Sequence, residues 1–379
     1  MDIRSNPPVM SSAQEAGAPS EVVSVLSAEG RMDARRDPGI SQDLLVRMYQ
    51  GMVRTRRIDE RLTKLQRQGR VGFHVGAEGE EAAIVASAAA LREQDWIFPC
   101  YREIGAALYR GLPLQTYIDN MYGNANDIPK GRQMPDHVSN RNVHYVSVTA
   151  PIGTQITQAV GFAWAAKLKK EDVVTASYFG DGATSSNDFH AGMNFAGVFK
   201  APTLFLLRNN GWAISVPSSH QTAAENYVDK AIGYGVRGVR VDGNDAIAVY
   251  QVVREAIEWA KAGHGPTLIE MMTYRMGPHT TSDDPNAYRK REEVQKALAN
   301  DPLTRLRTYL ESKGAWNSEQ QAAFEREVDE ELKACVKRAE STAPPSIESM
   351  FEDVYEHMPP HLQEQQAECV HGPRARKRH

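Results

Sequence analysis

Tyr178 to Ser215 reads YFGDGATSSNDFHAGMNFAGVFKAPTLFLLRNNGWAIS, and this stretch decides the fold. Two apolar runs in it stop at small polar residues: Gly180-Asp181-Gly182 after the first, Asn209-Asn210-Gly211 after the second. Each run has the length and composition of a buried strand. Working outward, DVVTASYF from Asp172, a helical stretch from about Asp188, TLFLL, a helical stretch near Ala223 to Ala231, GVRVDG, a helix from Asp245 to Ala262 and TLIEMMTY alternate strand with helix. That alternation predicts an α/β fold with a parallel sheet flanked by helices.

In an open parallel sheet, ligands bind beyond the C-terminal ends of the strands, where Asp181 and Asn210 would both lie. A carboxylate and an amide oxygen are hard ligands of the kind Mg2+ prefers, and Mg2+ usually shares its shell with phosphate oxygens. Gly180 and Gly182 would let the backbone approach such a ligand, and Arg208 adds a cation suited to phosphate. The plainer alternative is two loops, since Asp-Gly and Asn-Gly are common turn dipeptides. Both together, with Arg208, favour a metal-bridged phosphate site.

Elsewhere the signals are weaker. Gly233-Tyr-Gly235-Val-Arg-Gly238 fits a dinucleotide pattern, but the sequence predicts a helix before it and a strand after it, the reverse of what that site requires. A helix-to-strand turn is expected there. His357 and His361 have the spacing of two helical metal ligands, yet Pro359 and Pro360 stand between them. They read as surface histidines near a chain end.

Across 379 residues, 44 Lys and Arg balance 48 Asp and Glu, so bulk charge points to neither a nucleic-acid nor a membrane partner. Three scattered cysteines, Cys100, Cys335 and Cys369, form no disulfide or zinc pattern. With no apolar run long enough to cross a bilayer and no secretory signal, a cytoplasmic protein is expected. A transit peptide is the rival reading of the N-terminus, weakened by Asp2, Glu15, Glu21, Glu29, Asp33 and Asp37. Residues 1–38 read as a mobile arm, 39–366 as one α/β domain opening with helices over Gln42 to Gln68 and from Glu78, and closing with charged helices, and 367–379 as a basic tail.

GDG, 26 intervening residues and NN resemble the diphosphate-binding motif of thiamine-diphosphate enzymes. FPCYREIGAALYRG, KGRQMPDH, GTQITQAVGFAWAAK, RNNGWAISVP, VRVDGNDAIAVY, TYRMGPHTTSDDPNAYR and SMFEDVYEHMPPHL are similar to the α chain of the decarboxylating (E1) component of 2-oxo acid dehydrogenase complexes. The resemblance runs from about Leu44 to Gln366, and TTSDDPNAYR and MFEDVYEHMP look like the branched-chain enzyme rather than the pyruvate enzyme. It implies the thiamine-diphosphate-binding fold and oxidative decarboxylation of branched-chain 2-oxo acids, with acyl transfer to a lipoyl group. Pyruvate or acetoin as substrate, and a non-catalytic protein on the same fold, are the alternatives.

The resemblance also implies roles. Asp181 and Asn210 would bind Mg2+ by side chain and Trp212, where relatives often have tyrosine, by its carbonyl. Tyr101, Arg102, Arg208 and His279, with the backbone at Gly182 and Ala183, would hold the diphosphate; His279 would also lie at the reacting centre. Ile152 would lie near the aminopyrimidine, and Ala150 stands where some relatives have serine. The implied partners are an E1 β subunit, in an α2β2 heterotetramer, and a lipoylated E2 transacylase. An apolar subunit interface is expected over Val71 to Leu91 and Gly153 to Leu168. No regulatory phosphate is expected on Thr280.

Overall fold

The computed structural model describes residues 21–373. In chain order its strands are β1 (Val22–Val23), β2 (Trp96–Phe98), β3 (Thr175–Gly180), β4 (Thr203–Asn209), β5 (Trp212–Ala213), β6 (Val216–Pro217), β7 (Arg237–Asp242) and β8 (Thr267–Met272). β5 and β6 form a small antiparallel hairpin. The other six make one parallel sheet in the order β1-β7-β8-β4-β3-β2.

Successive side chains of a strand face opposite sides, so a sheet covered on both faces is built from nearly continuous apolar runs. Ala176, Tyr178, Leu204, Leu206, Ile269 and Met271 enter one core, shared with the helices Gln42–Arg67, Glu81–Ala90 and Ala246–Lys261. Phe179, Phe205, Leu207 and Leu268 enter the other, under the helices Thr154–Lys169 and Asn187–Phe199.

Those last two helices connect β2 to β3 and β3 to β4, whereas Ala246–Lys261 connects β7 to β8 on the opposite face. Right-handed crossovers change face when the chain reverses its direction along the sheet. The reversal falls between β4 and β8, which opens a crevice at their C-terminal ends.

The first long helix matches its expected span. Ser41 caps it by accepting from the Leu44 N–H at 3.4 Å, and Leu45, Met48, Met52, Ile58, Leu62 and Leu65 form its buried stripe. Helix Glu81–Ala90 is as buried as its apolar sequence predicts: nine of its ten residues are covered within this chain, so it does not supply the subunit interface expected there. Its lack of a polar face is the physical reason. The outer face of Thr154–Lys169 does expose Gly161 and Leu168.

Residues 21–38 are not the loose arm expected. Val22 and Val23 pair with Arg240 and Val241 as the edge strand, and Val25 and Leu26 are buried. Asp245 ties them down: its Oδ2 accepts the N–H groups of Val25 and Leu26, each at 2.6 Å, while its Oδ1 caps helix Ala246–Lys261 through Ile247 and Ala248. Residues 1–20 of the arm lie outside the described residues. Of the expected tail, 367–371 continue helix Pro360–His371, and 374–379 are likewise outside the description.

The glycine pattern at Gly233 is a helix-to-strand turn, as expected: the 3-10 helix Tyr227–Tyr234 passes through Gly235, at φ 64°, into β7. His357 lies before helix Pro360–His371 and His361 within its first turn; both are exposed. Among the described residues no helix is long and apolar enough to cross a membrane.

Candidate functional site

β3 and β4 are paired with Gly180 opposite Arg208, so Asp181 and Asn210 emerge just past the ends of adjacent strands in the crevice. Asp181 opens the 3-10 turn Asp181–Ser185 and is 1% exposed. Its Oδ2 accepts from Gln221 Nε2 at 2.7 Å, and no Lys, Arg or His forms an ion pair with it among the described residues. Burial therefore raises its carboxyl above the ordinary carboxylate range, partly offset by the Gln221 hydrogen bond.

Asn210 is buried. Its Oδ1 accepts from the Trp212 N–H at 3.1 Å, turning the chain into the β5–β6 hairpin, and its Nδ2 donates to Glu80 Oε1 at 3.0 Å. The Trp212 indole donates to Glu293 Oε1 at 3.2 Å. That hairpin explains Gly182: a Cβ there would come within 2.7 Å of Ala213 Cβ. Ala183 is buried beside it.

His279 stands at the mouth of the crevice on the loop after β8. Its Nδ1 faces two guanidinium groups, Arg102 at 3.4 Å and Arg275 at 3.3 Å. Arg102 also donates to the His279 carbonyl at 3.1 Å and to the Gly76 carbonyl. Burial, then the positive charges of Arg102 and Arg275, push the imidazole down to about 4. Facing only donors, Nδ1 is an acceptor, which leaves the proton on Nε2. Tyr101 packs edge-on to the His279 ring, 5.8 Å between centroids.

Arg208 is not an open phosphate grip. It is buried and paired with Glu80 and Glu103. Ile152 is 42% exposed, and the next residue, Gly153, packs against Ser186 at the end of the 181–185 turn. The structure thus gathers Asp181, Asn210, Trp212, Gly182 and Ala183 at the strand ends and Tyr101, Arg102 and His279 at the loop, with Arg208 beneath.

Sequence reading missed Glu80, Glu103, Gln221 and Arg275. Arg275 lies inside the TYRMGPH block and is 1% exposed, held by the Tyr288 hydroxyl and the Ile214 carbonyl, each at 2.8 Å. Behind the loop, Thr281 exchanges hydrogen bonds with the His74 backbone, at 3.0 and 3.1 Å. His74 is fully buried, 3.3 Å from Asp59 and 3.2 Å from Asp136.

The described residues hold no cluster of three or more His, Cys, Asp or Glu side chains arranged for a metal. A mixed oxygen set remains: a buried carboxylate lacking a cation and an amide oxygen on the neighbouring strand. Hard divalent cations take such sets, and one would supply the charge that Asp181 lacks. Beside it, a neutral imidazole with an Nε2–H and the adjoining guanidinium groups suit an anion.

A parallel sheet whose switch point presents these groups defines a cofactor-dependent α/β enzyme. The chain belongs to the dehydrogenase E1 component family, whose sequence model matches residues 49–348. It is 45% identical over 328 residues to 2-oxoisovalerate dehydrogenase subunit alpha 2, mitochondrial, of Arabidopsis thaliana, covering 86% of this chain and 70% of the relative. It is 42% identical over 344 residues to the mitochondrial 2-oxoisovalerate dehydrogenase subunit alpha of Bos taurus, covering 90% and 76%. The Homo sapiens protein of that name gives 42% over 344 residues, covering 90% and 77%.

These names overturn the expected cytoplasmic location, because all three relatives are mitochondrial proteins. Free cysteines and the lack of a long apolar run do not separate one reducing compartment from another.

Proposed function

We propose that this chain is the α subunit of a thiamine-diphosphate-dependent, mitochondrial 2-oxo acid dehydrogenase that decarboxylates branched-chain 2-oxo acids and passes the acyl group to a lipoyl carrier. The observation that carries this reading is the placement of Asp181 and Asn210 at the ends of adjacent parallel strands, with Asp181 buried and lacking a cation. When bound, thiamine diphosphate supplies the electron sink for decarboxylation.

The chain's own residues do the holding. Asp181 and Asn210 side chains, with the Trp212 carbonyl, bind Mg2+. Arg102, Tyr101, the Nε2–H of His279 and the peptide groups at Gly182 and Ala183 hold the diphosphate, and Arg208, paired with Glu80 and Glu103, supports the site from below. Ile152 closes the pyrimidine side. His279, neutral at working pH, can donate a hydrogen bond at the reacting centre without adding a charge. The base that activates the cofactor comes from an E1 β subunit, which makes the working unit an α2β2 heterotetramer serving a lipoylated E2 transacylase.

The test is co-expression with candidate β chains and turnover of 3-methyl-2-oxobutanoate and pyruvate with an artificial electron acceptor. Preferred turnover of 3-methyl-2-oxobutanoate is expected; preference for pyruvate would move the substrate assignment. Calorimetry with thiamine diphosphate and Mg2+ should show binding that Asp181→Ala abolishes, and undiminished binding by that variant would sink the site assignment.

A further inference from the structure

Arg102, from just after β2, and Arg208 and Asn210, from the end of β4, meet at one carboxylate. Glu80 lies fully buried at the start of helix Glu81–Ala90. Its Oε1 accepts from Asn210 Nδ2 at 3.0 Å and lies 3.6 Å from Arg102 Nε, while its Oε2 takes Arg208 Nη1. The backbone fixes its place: the Glu80 N–H donates to the Ala77 carbonyl at 2.8 Å, and the Ala77 N–H donates to Asp59 Oδ2 at 2.6 Å. A helix start also favours negative charge.

The two ends of a primary amide have opposite hydrogen-bonding character. An ionised carboxylate only accepts, so the end of Asn210 that faces Glu80 must be its NH2. Its oxygen is then turned away from Glu80, to the side where the Trp212 N–H meets it, and an oxygen with one such bond keeps a lone pair for a metal. Groups that orient metal ligands in this way tune the site without touching the ion.

We infer that Glu80 is the positioning residue of the metal and diphosphate site: it fixes the Asn210 amide with its oxygen outward and holds the Arg208 and Arg102 guanidinium groups in register with it. This rests on the function proposed above. Glutamine cannot replace it, because a carboxylate offers an acceptor to Asn210 and another to Arg208, whereas an amide offers one acceptor and one donor.

The test uses the assembled α/β protein with Mn2+ in place of Mg2+, free Mn2+ being followed by electron paramagnetic resonance during titration with thiamine diphosphate. Glu80→Gln should weaken cofactor-dependent Mn2+ retention about 10- to 100-fold. Glu80→Asp keeps charge and both acceptors but withdraws them by one methylene; it should also weaken retention, and it decides the matter if the glutamine variant does not fold. Glu81→Gln is the control, since that neighbouring buried carboxylate pairs with Arg56, which also binds Asp301, outside the site. It should lower thermal stability and leave Mn2+ retention unchanged. Wild-type retention in the folded Glu80 variants, or equal weakening by Glu81→Gln, would overturn the assignment of Glu80 alone. Failure of the wild-type protein to retain Mn2+ with thiamine diphosphate would instead overturn the proposed function.

Discussion

At the scale of single residues, the site is governed by which buried groups keep a charge. His279 is held neutral by burial and by Arg102 and Arg275, at about 4 against an ordinary 6.5. For a depressed histidine the sign is fixed: its contribution to stability is whole above about pH 6.5 and is withdrawn as pH falls towards 4. Histidine NMR resonances followed from pH 8 to 5 should therefore show His279 near its neutral position at pH 5.5. Arg275→Met should raise its midpoint only part of the way, because burial is the larger cause. A midpoint near 6.5 in the wild type would contradict this. Asp181 and Asn210 were legible in the sequence because each ends an apolar run. Glu80 and Arg275 were not: Glu80 meets Arg208 across 128 positions, and only folding brings them together.

At the scale of elements, the segment 74–80 is the shelf on which the His279 loop rests. Gly79 has φ 90°, and a Cβ there would strike the Tyr274 carbonyl oxygen. Gly79→Ala should cost about 1–3 kcal/mol or more in urea unfolding, from backbone strain and that clash. The other end of the shelf is His74, whose imidazole is held up at about 10 by Asp136 and Asp59 against the opposing effect of burial. Its stabilising contribution is complete below pH 6.5 and lost as pH rises through 10. The urea midpoint should fall between pH 7 and 9.5 in the wild type and fall less in His74→Phe; parallel falls would rule out His74 as the cause. Among the elements, the sheet was readable because strands covered on both faces are apolar throughout. Helix Glu81–Ala90 carried its own correction in the absence of a polar face. β1 escaped notice because two residues show no periodicity, and its place is set by Asp245, more than 200 positions away.

At the scale of the whole molecule, apolar side chains remain uncovered beside the second core. Leu168, Val198 and Phe199 are 62%, 67% and 42% exposed, on the outer sides of helices Thr154–Lys169 and Asn187–Phe199. Large exposed apolar groups gathered in this way mark interaction surfaces. The isolated chain should self-associate on size-exclusion chromatography and resolve to a defined species when a matching β subunit is co-expressed; a monodisperse monomer that ignores the β subunit would argue against the proposed assembly. The opposite flank sets a limit of another kind. If a processing protease trims the start of this polypeptide, its cut has to fall upstream of Glu21: a cut at 38 would bare the flank of β7 for sticking to other chains and strand one oxygen of Asp245 without its amide donors. Shortened forms beginning at 21 and at 39 should accordingly part company in solubility.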